Sequence, residues 1–161
     1  MRKLIARRIE LKRFKIAHQM YFITAVTENR VPIFKSQRNI EILLSAFNLY
    51  REKYKYKIVA FVILPDHFHW LIVTDVSANI STIMKSVKGY TAVKLGAGKL
   101  WQHQFLDHCV RQREDYTKHI EYIHKNPVKH GLARDVKEYI WSSFNNYEGS
   151  PAAVLKIDKL I

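Results

Sequence analysis

Two apolar segments separated by only two residues set the strongest limit on the fold of this chain. Lys57–Leu64 has the sequence KIVAFVIL and residues 67–74 have the sequence HFHWLIVT, with Pro65 and Asp66 between them. Continuous runs of branched and aromatic residues are typical of strands buried on both faces. Pro and Asp are turn-forming residues. The sequence therefore predicts two central antiparallel strands joined by a tight turn.

The other elements follow from the period of the apolar residues. Alternation predicts strands, and spacings of three and four predict amphipathic helices. In chain order we expect a strand at residues 21–27, a helix from Ser36 to about Tyr54, the two central strands, a helix capped by Ser77 or Asn79 that ends at Gly96, an extended segment at residues 100–111 and a third helix at residues 113–125 that ends before Pro127. A βαββαβ order predicts an α+β fold, a ferredoxin-like antiparallel sheet with an added C-terminal helix.

Length and composition favour one compact domain spanning residues 1–161. The chain is 48% hydrophobic and shows no repeat or linker, so it can bury a core of its own. Its single cysteine, Cys109, excludes an internal disulfide and a zinc site built from cysteines. Residues 1–15 contain no apolar stretch typical of a signal peptide, and we expect a cytoplasmic protein without a membrane span.

The charge of the chain indicates a polyanionic partner. Lys and Arg number 27 against 14 Asp and Glu, which gives a formal net charge of +13. Such an excess is typical of nucleic-acid-binding proteins. The excess is dense in residues 1–15, a segment that we interpret as a basic arm along phosphates; its candidate DNA contacts are Arg2, Lys3, Arg7 and Arg8.

Two histidines in the second central strand are candidate metal ligands. His67 and His69 are two residues apart, so their side chains leave the same face of the sheet, which we expect to be accessible to solvent. Two imidazoles do not complete a metal site, and a further ligand must come from elsewhere in the fold. A structural or surface pair is the alternative interpretation.

The third predicted helix carries residues that could complete such a site. Tyr116, Ile120 and Ile123 form an apolar stripe, and a polar stripe beside it includes Tyr122 and Asn126, one turn apart. A helix laid across the histidine face would present a phenol and an amide together. The alternative is that Tyr122 is a half-buried aromatic at the rim of the core.

Four segments resemble one known family. PDHFHWLI at residues 65–72 resembles the His-hydrophobic-His signature of the HUH endonucleases, in the form found in the REP-associated tyrosine transposases, relatives of the transposases of single-stranded insertion sequences. LWQHQFLDHCVR at residues 100–111, YIHKNPVKHGL at residues 122–132 and YIWSSFNNY at residues 139–147 resemble further blocks of that family in the same order. Phe68 and Leu106 depart from the usual pattern.

The resemblance implies a role for each matching residue. His67 and His69 would bind a divalent ion, Mg²⁺ or Mn²⁺, and Asn126 would complete the metal site. Tyr122 would be the nucleophile that cuts single-stranded DNA and forms a 5′-phosphotyrosine. The family uses DNA hairpins with a short flank, which are chromosomal REP hairpins in the REP-associated members, and its enzymes work as monomers or homodimers.

Further DNA contacts are expected on the second helix. Lys85 and Lys88 lie off its apolar face and could bind phosphates, and Tyr54 or Trp101 could stack on bases. Two other functions remain open at this stage. One is a non-catalytic single-stranded nucleic-acid-binding protein on the same fold. The other is a zinc hydrolase that uses His103 or His108 as a third ligand and water as the nucleophile.

Overall fold

The computed structural model describes residues 18–160, and a four-stranded antiparallel sheet forms its centre. The strands are β1 (Met20–Val26), β2 (Lys57–Leu64), β3 (His67–Val73) and β4 (Leu106–Val110). The helices are α1 (Gln37–Tyr54), α2 (Ile80–Lys94), α3 (Arg113–Lys129) and the short α4 (Phe144–Tyr147). The spatial order is β2-β3-β1-β4, the arrangement of a ferredoxin-like sheet. The predicted α+β class is confirmed.

Neighbouring side chains of β3 point to opposite faces of the sheet and meet different helices. Phe68 and Trp70 pack against α1 and α2, where Phe47 stacks on Trp70 with 4.3 Å between ring centroids. Leu71 has the other parity and shares a smaller apolar cluster with Ile123 of α3, which is fully buried. The sheet therefore lies between α1 and α2 on one face and α3 on the other.

Helix α3 continues past Pro127, and the predicted end at residue 125 is wrong. A proline inside a helix removes one backbone hydrogen bond, but here it lies in the last turn, close to the natural end of the helix. The end is made by Gly131, whose φ of 70° allows its N–H to bond the Val128 carbonyl and that of Leu132 to bond the Pro127 carbonyl. The extra turn carries Lys129 and His130 toward the histidine face.

The fourth strand is shorter than the extended segment predicted at residues 100–111. Leu106–Val110 forms the regular ladder with β1, at the edge of the sheet, and the Gln102 N–H donates separately to the Val26 carbonyl. Trp101 forms an isolated bridge with Thr27 and is buried, with its ring stacked on Phe34 at 5.4 Å. The expectation that Trp101 is exposed for base stacking is therefore wrong.

The C-terminal part of the chain covers the outer edge of β2. The N–H of Ile63 donates to the Trp141 carbonyl, the N–H of Ser143 donates to the Phe61 carbonyl, and that of Asp158 donates to the Ile58 carbonyl. These bonds occupy groups that an edge strand would otherwise expose. No helix among residues 18–160 is long and apolar enough to cross a membrane.

Candidate active site

His67 and His69 stand side by side on the face of β3 that α3 covers. Their ring centroids are 4.9 Å apart, and the residues are only 7% and 5% exposed. A solvent-accessible face was expected, and that expectation is wrong because α3 packs across it. The ring of Tyr122 lies 5.2 Å from that of His69, so the two histidines and the candidate nucleophile do share one site.

Each histidine is oriented through its Nδ1 atom. His67 Nδ1 lies 2.6 Å from Asp66 Oδ1, and His69 Nδ1 lies 2.8 Å from Thr24 Oγ1 on the neighbouring strand. When Nδ1 carries the proton and donates it to these oxygens, Nε2 keeps a free lone pair, which is the form that binds a metal. The Nε2 atom of His69 is buried without a hydrogen-bond partner in the described part of the chain.

Burial keeps both imidazoles neutral at physiological pH. Desolvation lowers the pKa of His69 to about 3, with a further contribution from the charges of His67 and His130. Desolvation also lowers the pKa of His67, against the opposing effect of its hydrogen bond to Asp66. Partial burial acts to raise the pKa of Asp66, but hydrogen bonds with His67 and Arg30 outweigh it and lower that pKa. A proton therefore does not compete for the Nε2 lone pairs.

Asn126 of α3 is the third candidate metal ligand. It is 1% exposed, and within residues 18–160 neither atom of its side-chain amide has a hydrogen-bond partner. An unpaired buried amide is costly and rare, and it indicates a group that a ligand satisfies. No group of three His, Cys, Asp or Glu residues in this range could hold a metal ion. Two imidazole nitrogens and an amide oxygen are donors that suit a divalent ion.

Tyr122 is held by its neighbours yet open to solvent. It is 41% exposed, and its ring meets His69 and Phe22 edge-on. Lys129 Nζ lies 5.5 Å from the centre of the ring, one of the contacts that the extra turn of α3 provides. The phenol therefore has a defined position beside the imidazoles and can be reached by an extended strand.

Several neighbours of the site were missed by sequence analysis. Phe22 stacks on His69 at 5.4 Å and on His119 at 4.5 Å, and the ring of His130 lies 5.6 Å from that of His67. Phe22 and Thr24 are two residues apart in β1, and both side chains lie on the face that α3 covers. Alternation in the sequence could therefore have predicted that these two residues share a face. The pairing of Thr24 with His69 required the register between β1 and β3, which the sequence does not supply.

The structure disfavours a zinc site completed by His108 or His103. His108 is on β4, which β1 separates from β3, and its ring contacts His119 at 5.5 Å. His103 is exposed in the loop before β4, and its backbone carbonyl accepts a hydrogen bond from Lys88. The histidine beside His67 is His130 instead.

The predicted DNA-binding residues fall into three groups. Arg2, Lys3, Arg7 and Arg8 lie outside the described residues. Lys85 is exposed on α2, in the layer opposite the histidines, and its phosphate contact stays a prediction. Lys88 is half-buried, and its Nζ donates to the Gln102 carbonyl at 2.8 Å and the His103 carbonyl at 3.4 Å, so its charge already stabilises the loop before β4. This engagement disfavours the predicted phosphate contact of Lys88.

Comparison with known proteins finds relatives in one family. A family model described as Transposase IS200 like matches residues 15–126, a range that includes both histidines, Tyr122 and Asn126. A REP-associated tyrosine transposase of Escherichia coli (strain K12) is 29% identical over 141 residues, which cover 84% of this chain and 82% of the relative. A Haemophilus influenzae protein that carries the same family name is 30% identical over 141 residues, which cover 78% of this chain and 80% of that protein.

Comparison with solved structures finds a protein of the same family name. A solved structure of a REP-associated tyrosine transposase bound to a REP hairpin superposes with a TM-score of 0.78 over 91% of this chain and 94% of that one, at 24% identity. At 24% identity the superposition shows a shared fold only. The assignment to a family depends on the family model and on the two sequence relatives. The chain belongs to the IS200-like transposase family and, within it, to the REP-associated tyrosine transposases.

Proposed function

We propose that this chain cuts and rejoins single-stranded DNA beside a hairpin, with Tyr122 as the nucleophile. The observation that carries the proposal is the position of the exposed Tyr122 phenol next to two buried, neutral imidazoles on the same face of the sheet. A phenol serves as a nucleophile toward a phosphodiester only if the charge of the phosphate is offset. A cation held by His67, His69 and Asn126 would offset that charge.

A divalent ion, Mg²⁺ or Mn²⁺, would be held by His67 Nε2, His69 Nε2 and the side-chain oxygen of Asn126. When bound, it would withdraw charge from the scissile phosphate and fix its orientation. Asp66 and Thr24 would keep both imidazoles in the tautomer that leaves Nε2 unprotonated. Their role resembles that of the hydrogen-bonded partners behind metal-binding histidines in general.

In the bond exchange, the Tyr122 oxygen forms a bond to phosphorus as the bond from phosphorus to the 3′ oxygen breaks. The phenol proton leaves to solvent, and the departing 3′ oxygen takes up a proton and becomes a hydroxyl. The product is a 5′-phosphotyrosine, which preserves a phosphoester bond for rejoining to another 3′ hydroxyl. Lys129 places a cation beside the tyrosine ring, where it would favour the negative charge that develops on the phenol oxygen.

The substrate class rests on charge and kinship. The net charge of +13 favours binding to phosphates. One solved relative of the same fold is bound to a REP hairpin, and both sequence relatives carry the REP-associated name. We therefore propose REP hairpins with a single-stranded flank as the substrate. The Tyr122 ring lies 5.2 Å from His69 of the same chain, which supports a site that needs no tyrosine from a second copy.

The test uses hairpin oligonucleotides from the source genome, labelled at either end and incubated with protein and Mg²⁺ or Mn²⁺. In a denaturing gel, we expect the 3′ label to move with the protein and the 5′ label to leave as a free fragment. Tyr122→Phe should form no adduct and should still bind the hairpin. Tyr116→Phe is the matched control, because the Tyr116 hydroxyl donates to the Leu160 carbonyl away from the histidines. Cutting by Tyr122→Phe would point to water as the nucleophile.

A further inference from the structure

A small pocket lies beside His67, and neither His69 nor Tyr122 contributes to its lining. Its volume is about 240 Å³, below the ~300–1,000 Å³ of most small-molecule sites, so it suits a fragment about the size of one nucleotide. Both hairpin-turn residues, Pro65 and Asp66, contribute to it. The rest of its wall includes Arg30, Pro32, Leu64, His67, His130 and Leu132.

Successive ring contacts connect the nucleophile to this pocket through the two histidines. Tyr122 lies 5.2 Å from His69, His69 lies 4.9 Å from His67, and His67 lies 5.6 Å from His130 between ring centroids. Tyr122 and His130 are eight residues apart in and just after α3, a rise of about 12 Å along a helix axis. The nucleophile and the pocket therefore lie at opposite ends of the candidate metal site.

This order has a consequence for the DNA strand, given the proposed function on which the inference rests. In phosphoryl transfer, the attacking and leaving oxygens lie roughly in line on opposite sides of phosphorus. With Tyr122 on the His69 side of the phosphate, the departing 3′ oxygen must point toward His67 and beyond. We propose that the pocket binds the nucleotide immediately 5′ of the scissile phosphate, the one that leaves with the free 3′ hydroxyl.

The chemistry of the walls matches that ligand. Pro32, Leu64 and Leu132 give an apolar surface on which a base can lie, and Leu132 is 42% exposed. Arg30 offers a guanidinium whose side chain is 62% exposed, at a left-handed backbone position with φ of 52°. A guanidinium is well suited to bind phosphate.

The one carboxylate in the pocket is already neutralised. Arg30 offsets its charge, because Nη1 lies 3.2 Å from Asp66 Oδ2, and the neutral His67 lies 2.6 Å from Oδ1 at its Nδ1. The exposed guanidinium has further N–H donors for a phosphate. His130 is exposed at the mouth and adds a ring that can stack on a base or donate a hydrogen bond. Apolar walls with donors at the rim fit a nucleotide, with its base inside and its phosphate at the rim.

The test uses hairpin oligonucleotides whose single-stranded flank is randomised, and it sequences the strands released with a 3′ hydroxyl as covalent adducts form. Wild-type protein should select bases at the position 5′ of the cut. Leu132→Ala should flatten selection at that position and leave it unchanged elsewhere in the flank. Arg30→Ala should lower the adduct yield about tenfold, the effect of losing one charge-assisted contact. Arg38→Ala, an exposed arginine on α1, is the matched control and should behave as the wild type.

An abasic residue at the position 5′ of the cut supplies a second measurement. It should lower cleavage by the wild type about tenfold, as expected for the loss of one base contact, and by Leu132→Ala less than twofold. Equal losses in both proteins, or unchanged selection in the Leu132 and Arg30 variants, would overturn the assignment of the pocket while leaving Tyr122 as the nucleophile. Absence of any adduct with the wild type would overturn both proposals.

Discussion

A buried histidine on the helix of the nucleophile should make the fold acid-sensitive. His124 is 7% exposed, and its Nε2 lies 2.8 Å from Ser143 Oγ. The same Ser143 oxygen accepts the N–H of Phe61, so its hydroxyl hydrogen is free to donate to a neutral imidazole. A protonated ring would bring a second donor to that oxygen in a buried place. His124→Gln retains a hydrogen-bond acceptor for Ser143 and removes the titration.

The size of the effect follows from the pKa of His124. Burial lowers it from 6.5 to about 4. The unfolded chain therefore binds the proton more tightly than the folded one, and the stabilisation is present above pH 6.5 and is lost as the pH falls toward 4. At about 1.4 kcal/mol for each pKa unit, the loss between pH 7 and pH 4 is about 3 kcal/mol. Single domains are stable by about 5–15 kcal/mol, so this is a large fraction of the total.

The assay is urea unfolding of the wild type and of His124→Gln at pH 7, 5 and 4, without divalent ions. His67, His69 and His119 also have lowered pKa values and contribute equally to both proteins. The free energy of unfolding should fall by about 3 kcal/mol more in the wild type than in the variant between pH 7 and pH 4. Equal losses in the two proteins would refute the account of His124 as a neutral, buried partner of Ser143.

Two further predictions concern the metal and the DNA. Thr24→Val keeps the shape of the side chain but removes the oxygen beside His69 Nδ1. The affinity for Mn²⁺, measured by calorimetry, should therefore fall about 10–100-fold and recover in Thr24→Ser. An unchanged affinity in Thr24→Val would contradict the orienting role of this residue. Because the net charge is +13, hairpin affinity in a filter-binding titration should fall about 10³-fold or more between 50 and 200 mM salt, and a flat response would argue against binding through phosphates.

The local features of the site could be predicted because they depend on neighbours in sequence. The spacing of His67 and His69 placed both on one face of a strand, and the turn at Pro65 and Asp66 defined the central hairpin. The apolar stripe of α3 likewise predicted that Ile123 would be buried while Tyr122 would lie beside the core. Alternation and helical period carry this information without any knowledge of tertiary packing.

The rest depends on contacts between segments that are distant in the chain. The burial of His67 and His69 results from α3 packing over them, which no local pattern encodes. The end of α3 was placed too early because Pro127 is a strong helix breaker, whereas the Gly131 backbone conformation makes the actual end. That error removed Lys129 and His130 from the predicted site, and with them the pocket beside His67.

The most direct test of the central claim is to locate the covalent DNA on the protein. Trypsin separates the two tyrosines of α3, because cleavage after Arg113, Lys118 and Lys125 places Tyr116 in the peptide EDYTK and Tyr122 in the peptide HIEYIHK. After the reaction with a hairpin oligonucleotide and digestion of the DNA, mass spectrometry should find a nucleotide phosphate on HIEYIHK and none on EDYTK. A modified EDYTK peptide, or cleaved DNA with neither peptide modified, would contradict the assignment of Tyr122 as the nucleophile.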